Sequence, residues 1–185
     1  IILDMFVSAF DTLVEDRNIT HNKSLLSRYL FALDKQSGKR AKLIFVDTNA
    51  QAEYYHNTFE ISLDKMKRVF VGCDEVLFHP LPEKPESCIV LYYCSYLPLH
   101  GVDVVVEAAK LLQAESSIRF KIIGRGTEFG KIQRLVQEKQ VNNVELAAPV
   151  AVEQLPLEIQ DSIICLGGHF GASSKACRVI PGKVF

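Results

Sequence analysis

The sequence predicts an α/β protein in which the short strands of parallel, doubly wound sheets alternate with helices. Two observations carry this prediction: short apolar runs recur between longer segments of helical pattern, and a proline-rich segment divides the series into two blocks. Apolar residues make up 48% of the 185 residues and charged residues 23%, the composition of an ordinary globular protein. Buried strands that alternate with helices are typical of parallel sheets covered on both faces.

The first block is predicted to hold three strands and two helical stretches. In chain order these are a strand from Ile1 to Val7, helical residues through Leu33, a polar break over 35–40, a strand over 41–47, a helix over 50–59 and a strand over 66–72. Thr48 or Asn49 is a suitable N-cap for the second helix, because a side-chain oxygen there accepts a hydrogen bond from the first helical turn.

A proline-rich segment from His79 to Glu86 predicts the boundary between two domains. It contains three prolines in eight residues, and a residue that precedes proline is disfavoured in a helix. We therefore divide the chain into a first domain over 1–80, a linker over 81–87 and a second domain over 88–185.

The second block repeats the alternation of strands and helices. Its predicted elements are strands over 88–95, 118–124, 143–147 and 162–166, and helices over 102–114, 128–139 and 153–160. Residues 181–185 have the pattern of a beginning element, since proline fits a first helical turn. Because the chain starts at Ile1 instead of a methionine and stops at Phe185, within this element, we expect it to be a fragment cut at both ends.

Composition and motifs exclude several classes of function. The net charge is −1, so no general positive field attracts nucleic acid. No apolar run approaches the roughly 20 residues of a membrane-spanning helix. No signal peptide is visible, and five cysteines without a Cys-x-x-Cys pair predict a reduced, cytoplasmic protein. The five histidines are scattered, so we expect neither a metal nor a resident cofactor.

Three loops in the second block are candidate ligand sites, because ligands of open parallel sheets bind at the carboxyl ends of strands. They are residues 96–101, residues 124–127 and the glycine-rich residues 167–175. In the second loop glycines allow close backbone approach and Arg125 supplies charge, while Lys175 adds charge to the third.

Each loop also has a purely structural interpretation. In this interpretation His100 only caps or packs its loop, and Gly124-Arg125-Gly126 is a tight strand-to-helix turn that needs glycine in any case. Lys175, Arg178 and Lys183 form a basic cluster, which is usually solvated surface charge. These alternatives stay open at this point.

Known nucleotide and hydrolase motifs are absent. The third loop lacks the Gly-Lys-Ser/Thr ending of a P-loop, and Gly130 is one residue late for a dinucleotide-binding fingerprint. No serine or cysteine lies in a G-x-S-x-G elbow. A P-loop nucleotidase, a nicotinamide enzyme and a hydrolase are therefore not supported.

Seven segments occur in a distinctive order: 69–80 (VFVGCDEVLFHP), 101–112 (GVDVVVEAAKLL), 120–128 (FKIIGRGTE), 144–146, 155–161, 170–171 and 180–185 (IPGKVF). Their order resembles that of the group 1, GT-B fold, retaining glycosyltransferases, which use nucleotide sugars. The resemblance covers residues from about Asp47 to Phe185. Each motif is loose, but their order and spacing together are fairly specific.

The resemblance implies two Rossmann-like domains and transfer of a sugar from a nucleotide-diphosphate donor to an acceptor hydroxyl, without a required metal. Residues 1–80 would be the C-terminal part of the acceptor domain, and 88–185 an incomplete donor domain. It implies donor-binding residues but no identified catalytic residue. The implied donor-binding residues are Tyr96, His100, Gly124, Arg125, Gly126, Phe170, Gly171, Ala172 and Lys183.

The resemblance also implies partners and a location. The partners are a nucleotide sugar and a saccharide or lipid-linked acceptor of glycan biosynthesis, and the location is the cytoplasm. Members of the family often act at the inner membrane face, but no amphipathic basic helix in the sequence indicates peripheral membrane association.

The sequence departs from the family pattern at two places. Tyr96 or its neighbours and His100 stand where the family has an arginine and a lysine, and Gly168 stands where it has a glutamate. The fragment alone is therefore expected to be inactive. Two alternatives remain: a non-catalytic GT-B-like binding or scaffolding protein, and a flavodoxin-like or response-regulator-like domain, which would leave the proline-rich boundary unexplained.

Overall fold

The computed structural model describes residues 1–80 and 88–185, and the contacts between these residues divide the chain into two units. The first unit is Ile1–Gly72 with Ser173–Ile180, and the second is Cys73–Ala172 with Pro181–Phe185. The predicted linker 81–87 lies outside the described residues. This division differs from the sequence division for two segments. Residues 73–80 belong to the second unit instead of the first. Residues 173–180 belong to the first unit, where their charged side chains bond.

The first unit is built on a three-stranded parallel sheet in the order β1-β2-β3. The strands are β1 (Ile2–Asp4), β2 (Leu43–Val46) and β3 (Met66–Arg68); the helices are a π-helix at Asp11–Asp16, α1 (Leu25–Arg40), α2 (Asn49–Phe59) and a 3₁₀ turn at Leu63–Lys65. Thr48 caps α2, and its hydroxyl oxygen accepts a hydrogen bond from Gln51 N at 3.0 Å. The cap and the presence of the three predicted strands are confirmed, but β1 and β3 are shorter than the predicted 1–7 and 66–72.

The predicted polar break over 35–40 is wrong, because α1 continues through Arg40. Gly38 is buried, and a Cβ atom at this position would lie 2.2 Å from Ile61 Cδ1. Lys35 and Lys39 form ion pairs with Glu60 at 2.7 and 3.0 Å. The glycine therefore allows a close helix contact, and the lysines join the helix to the residue that follows α2.

A buried carboxylate in the first unit holds the distant segment 173–180. Asp11 is fully buried, and Arg178 Nη2 donates a hydrogen bond to its Oδ1 at 2.8 Å. Lys175 Nζ lies 3.6 Å from Asp11 Oδ2. The Arg178 guanidinium also lies 3.6 Å from the centre of the Tyr54 ring and donates to Gln51 Oε1 at 3.0 Å. Since the acid and both cations are withdrawn from water, this network is strongly coupled.

Further buried acids surround the same segment. Thr48 Oγ1 donates a hydrogen bond to the Arg178 carbonyl. Burial raises the pKa of Asp16 and of Asp47, although the positive charge of Lys175 opposes the shift in both. The segment thus brings two cations to a part of the first unit where several carboxylates are buried.

The second unit is built on a four-stranded parallel sheet in the order β6-β5-β4-β7. The strands are β4 (Ile89–Cys94), β5 (Arg119–Gly124), β6 (Val144–Ala147) and β7 (Ile164–Cys165); the helices are α3 (Val102–Leu111), α4 (Phe129–Glu138) and α5 (Leu155–Gln160), with 3₁₀ turns at Pro98–His100, Val152–Gln154 and Gly182–Val184. All the predicted elements of this block are present. Among the described helices of the whole chain, none has the length and apolar character needed to cross a membrane.

The strand order of the second sheet creates a topological switch point beside β4. The chain runs from β4 to β5 and β6 on one side, and β7 then pairs with β4 on its other side. The loops that leave β4 and β7 therefore diverge at the carboxyl edge of the sheet, where open α/β sheets bind their ligands. The core beneath includes Val102, Val106 and Ile132 from α3 and α4, packed with Tyr92 and Ile122.

We predict that Arg178→Met destabilises the first unit by about 3 to 5 kcal/mol, because it leaves the buried Asp11 charge without its hydrogen-bonding partner. Urea-induced unfolding measures this change. The control is Arg28→Met, which removes an exposed arginine and should change the free energy of unfolding by less than about 0.5 kcal/mol. Asp11→Asn combined with Arg178→Met should recover part of the loss. Equal stability of the two single variants would contradict the prediction.

Candidate functional site

The candidate site lies at the carboxyl ends of β4, β5 and β7. The loops after these strands are 95–101, 125–128 and 166–172. Because β4 pairs with both β5 and β7, its loop lies between the other two. The structure therefore brings the first two predicted loops and residues 167–172 of the third to one edge of one sheet. Residues 173–175 belong to the first unit, where Lys175 contacts Thr12 and Asp11, so the prediction that Lys175 adds charge to this site is wrong.

Backbone lies directly against backbone where these loops meet. A Cβ atom at Gly126 would lie 1.7 Å from the carbonyl oxygen of Ser95. Gly101 has φ +57°, and its Cβ would lie 2.3 Å from Gly171 N. Gly124 has φ +140°, and its Cβ would lie 1.9 Å from the carbonyl oxygen of Cys94. These glycines are explained by close backbone contact, between loops at Gly101 and Gly126 and between β4 and β5 at Gly124, which supports the structural interpretation of Gly124-Arg125-Gly126.

Tyr92 connects the loops from below, and sequence reasoning missed it. Its single hydroxyl proton is shared between the carbonyl oxygens of His100 at 2.9 Å and Gly168 at 3.1 Å. Its ring contacts Phe170, with the ring centres 5.6 Å apart. Burial raises the pKa of Tyr92, so the hydroxyl keeps its proton for these bonds. One buried side chain thus joins the loop after β4 to the loop after β7.

Tyr96 supports the site from the core, since its side chain is fully buried. Its ring packs edge-on against Phe129 at 5.2 Å between ring centres. The Tyr96 carbonyl accepts a hydrogen bond from Glu128 N at 3.0 Å, which fixes the start of α4. The tyrosine therefore positions the second loop, and a ligand at the surface would meet its backbone before its ring.

His100 is buried and hydrogen bonded within its own loop. Its Nδ1 accepts a hydrogen bond from Leu97 N at 3.3 Å, and its ring centre lies 5.3 Å from that of His169. Burial, with smaller contributions from Lys183 and His169, lowers the pKa of His100 to about 4. The ring is therefore neutral near pH 7 and cannot replace a cationic phosphate partner there.

Arg125 is exposed, yet its guanidinium group bonds to the protein. Nη1 donates to the carbonyl oxygens of Gly124 at 2.8 Å and Ala147 at 3.1 Å. The guanidinium lies 4.0 Å from the centre of the Phe129 ring. Arg125 thus ties the end of β5 to the end of β6, at the side of the sheet away from the switch point.

The third loop lies against the first through its backbone. Phe170 N donates to the His100 carbonyl at 3.2 Å, and Gly171 N donates to the Leu99 carbonyl at 3.1 Å. The Gly171 amide is therefore engaged in this structure, which leaves the neighbouring Ala172 amide as the better candidate donor to an anion. Gly101, in contact with Gly171, is also the N-cap of α3.

Lys183 is the cation closest to the switch point among the predicted site residues. Its Nζ donates to the Tyr93 carbonyl at 2.8 Å and lies 4.2 Å from the centre of the Tyr92 ring. Burial lowers the pKa of Lys183 to about 8, while neighbouring Cys94 and Cys165 act in the opposite direction. The ammonium group is thus half withdrawn from water and remains largely protonated near pH 7.

Two cavities lie at opposite ends of the second sheet. A cavity of about 340 Å³ adjoins Lys183 and is lined also by Tyr93, Ile159 and Cys165. A larger one of about 510 Å³ lies at the amino ends of the strands, by Ile89 among others. We favour the smaller cavity as part of the site, because parallel sheets bind ligands at their carboxyl ends. Within residues 1–80 and 88–185, no group of three or more metal-ligating side chains is suitably placed for an ion.

Comparisons with known proteins identify the fold. No protein-family model matches the sequence, and no curated protein matches it. Solved glycosyltransferase structures do match. WaaG, a glycosyltransferase involved in lipopolysaccharide biosynthesis, superimposes with a TM-score of 0.71 at 14% identity over 91% of this chain and 50% of its own.

Two further structures contain ligands. A mutant of TarM of S. aureus, in complex with fondaparinux, α-GlcNAc-glycerol and UDP, has a TM-score of 0.63 and 17% identity over 82% of this chain and 29% of its own. HepE of Anabaena with UDP-glucose has a TM-score of 0.64 and 13% identity over 78% and 43%. The chain thus spans between 29% and 50% of these proteins. The predicted Rossmann-like, GT-B-type fold is confirmed.

We predict that Gly101→Ala disrupts the site, because the added methyl group would meet the backbone of Phe170 and Gly171 at a left-handed residue. The expected loss of stability is at least about 1 to 3 kcal/mol. The matched control is Gly130→Ala in α4, where an added Cβ meets nothing within 4 Å and alanine favours the helix. Thermal unfolding of both variants tests the prediction, which fails if Gly101→Ala is as stable as Gly130→Ala.

A second prediction follows from the lowered pKa of His100. The pKa of His100 is 6.5 in the unfolded chain and about 4 in the folded protein, so between these pH values the unfolded chain binds more protons. The free energy of unfolding therefore decreases as the pH falls from 6.5 to 4. The full effect is about 3 kcal/mol.

The test is His100→Asn, which keeps an acceptor for Leu97 N and removes the titration. The stability difference between wild type and variant should shift in favour of the variant from pH 7 to pH 4 in urea unfolding. A difference that stays constant with pH would show that His100 does not titrate as described.

Proposed function

We propose that this chain is part of a glycosyltransferase that moves a sugar from a nucleotide-diphosphate donor to an acceptor hydroxyl. The observation that carries the proposal is the switch point beside β4, where three glycine-containing loops, the start of α3 and Lys183 converge in one unit. The same type of fold in WaaG, TarM and HepE supports it. The second unit would hold the donor, and the first unit would contribute to acceptor binding.

The chemistry of the transfer requires stabilisation of a leaving diphosphate, whose charge grows as the glycosidic bond breaks. The amides of Val102 and Asp103 at the start of α3, the Ala172 amide and the Lys183 ammonium group are the groups we assign to this task. No metal or cofactor is invoked. Phe170, Gly171 and Gly126 shape the loops around the donor, while Tyr96, His100, Gly124 and Arg125 hold these loops in place.

Lys183 would change partners when a donor binds. In this structure its Nζ donates to the Tyr93 carbonyl, and a diphosphate would compete with that carbonyl for the ammonium protons. A hydrogen bond from an ammonium group to an anionic phosphate oxygen is stronger than one from the same group to a neutral carbonyl. The partly buried position makes the interaction with phosphate less screened by water than a surface contact.

We predict that the chain binds UDP, and that Lys183→Met weakens binding about tenfold to a hundredfold, since it removes a hydrogen bond to a charged group. Isothermal titration calorimetry with UDP, GDP, ADP and UDP-glucose measures this. Wild-type affinity should fall as the pH rises through about 8, where Lys183 loses its proton, and the variant should not show this dependence.

The matched control is Lys110→Met, which removes a lysine of the same unit whose Nζ bonds to Gln113 Oε1 and the Gln140 carbonyl. It should bind nucleotide like the wild type. Absence of binding for every nucleotide would overturn the donor-binding proposal, and equal weakening by both variants would overturn the assignment of Lys183.

A second candidate function is a GT-B-like binding or scaffolding protein without catalysis. It is favoured by the internal hydrogen bonds of Arg125 and Gly171 and by the neutral, buried ring of His100. Gly168 also lacks the carboxylate that the resemblance leads us to expect. Gly168→Glu separates the candidates: a gain in sugar transfer or in UDP-glucose affinity supports a weakened enzyme, and no change in an inert protein supports scaffolding.

A further inference from the structure

The amine of Lys183 has no acidic partner. Within residues 1–80 and 88–185, no carboxylate lies within ion-pair distance of its Nζ. Nζ donates a hydrogen bond to the Tyr93 carbonyl at 2.8 Å, and the ring centres of Tyr92 and Tyr93 lie 4.2 and 5.5 Å away. A half-buried ammonium group with only a neutral carbonyl and aromatic rings around it is less stable than one that is paired or hydrated.

The cavity beside this amine is mainly apolar. Its volume of about 340 Å³ lies within the range of pockets that hold small molecules. Its apolar walls come from the residues before β4, from α5 and from the end of the chain, and they are Phe78, Pro80, Pro156, Ile159 and Phe185. A short apolar group joined to Nζ would therefore be withdrawn from water in this cavity.

The same surroundings activate Lys183 as a nucleophile. Only the neutral amine reacts with electrophiles, and a lysine desolvated in an apolar pocket is neutral more often than an exposed one. Burial lowers the pKa of Lys183 to about 8, whereas an exposed lysine has an ordinary pKa of about 10.4. The neutral amine keeps two protons, so it still donates to the Tyr93 carbonyl while its lone pair becomes available.

We propose that Lys183 is a modification site that takes short acyl groups from acyl phosphates, and that the acyl chain lies in the adjoining cavity. The amine nitrogen attacks the carbonyl carbon, a C–N bond forms and the C–O bond to phosphate breaks. Inorganic phosphate leaves with the electron pair, and the nitrogen gives one proton to water. The resulting amide keeps an N–H group for the Tyr93 carbonyl and has lost the charge that burial disfavours.

Acylation of Lys183 would also control donor binding, and this consequence rests on the proposed function. The ammonium group is one of the groups that we assign to the leaving diphosphate, and an amide cannot replace its charge. Acylated protein should therefore bind UDP as weakly as the Lys183→Met variant. The acylation reaction itself does not depend on the donor-binding proposal.

The experiment treats the full chain with acetyl phosphate or butyryl phosphate between about pH 6 and pH 10. Peptide mass spectrometry then measures the rate at each lysine, after hydroxylamine has removed acyl groups from cysteines such as Cys165, which lines the same cavity. At pH 8 we expect Lys183 to react about tenfold faster than exposed Lys67 and half-buried Lys110. Its rate should level off above about pH 8, whereas the rate at Lys67 should keep rising.

Chain length tests the role of the cavity. The ratio of the butyryl rate to the acetyl rate should be higher at Lys183 than at Lys67, because only Lys183 adjoins an apolar cavity. Ile159→Phe enlarges a side chain that lines the cavity and should lower this ratio at Lys183. The matched control is Leu157→Phe on the same helix, which is 59% exposed and outside the cavity lining, and should react like the wild type. Thermal unfolding checks that both variants are folded, and the comparison of reagents on the wild type needs no variant.

Three results would overturn the inference. They are a rate at Lys183 no higher than at Lys67 and Lys110, a rate that keeps rising above about pH 9, and the same chain-length ratio at every lysine. Calorimetry with UDP tests the regulatory consequence separately. Loss of affinity after acylation of the wild type, but not after the same treatment of Lys183→Arg, supports control of donor binding, and unchanged wild-type affinity contradicts it. Rapid acylation of Lys183 in a chain that never binds UDP would support the modification site and overturn the proposed function.

Discussion

Direct contact between backbones at the carboxyl edge of the second sheet is the constraint on which the candidate site depends. The loops after β4, β5 and β7 approach so closely that glycine is needed at three positions, and the amides of Phe170 and Gly171 then bond to carbonyls of the first loop. This packing fixes the start of α3 next to the glycine-rich loop. The anion site that we propose uses the amides at the start of α3, the Ala172 amide and Lys183, and needs few charged side chains.

The sequence predicts those features that depend on neighbouring residues. The strands of both sheets are visible as apolar runs, and the cap at Thr48 is visible because it involves only the next helical turn. The candidate loops were predicted because a loop after a parallel strand has a known place. What such reasoning supplies is the location of a site, since local pattern and sheet geometry determine it together.

Features that depend on distant residues were not predictable in the same way. Gly38 suggests a break by its type, but its purpose is contact with Ile61, beyond the next strand and helix. Tyr92 and Tyr93 are adjacent and identical, and only the tertiary structure shows that the Tyr92 hydroxyl joins two loops. The charged loop residues Arg125 and His100 were predicted for a ligand, yet their hydrogen-bond partners lie within the protein. Amino-acid type alone does not distinguish a cation that awaits a ligand from one that fixes a turn.

The segment 173–180 shows that the two units do not correspond to two continuous stretches of the sequence. It lies in the first unit through Asp11, while Ala172 before it and Lys183 shortly after it belong to the second. A cut in the chain at the proline-rich segment would leave the first piece with a buried acid lacking its cations, and the second piece with two cations lacking their acid. Recombination or domain exchange between relatives at that boundary would therefore succeed only where both parents match at Asp11 and Arg178.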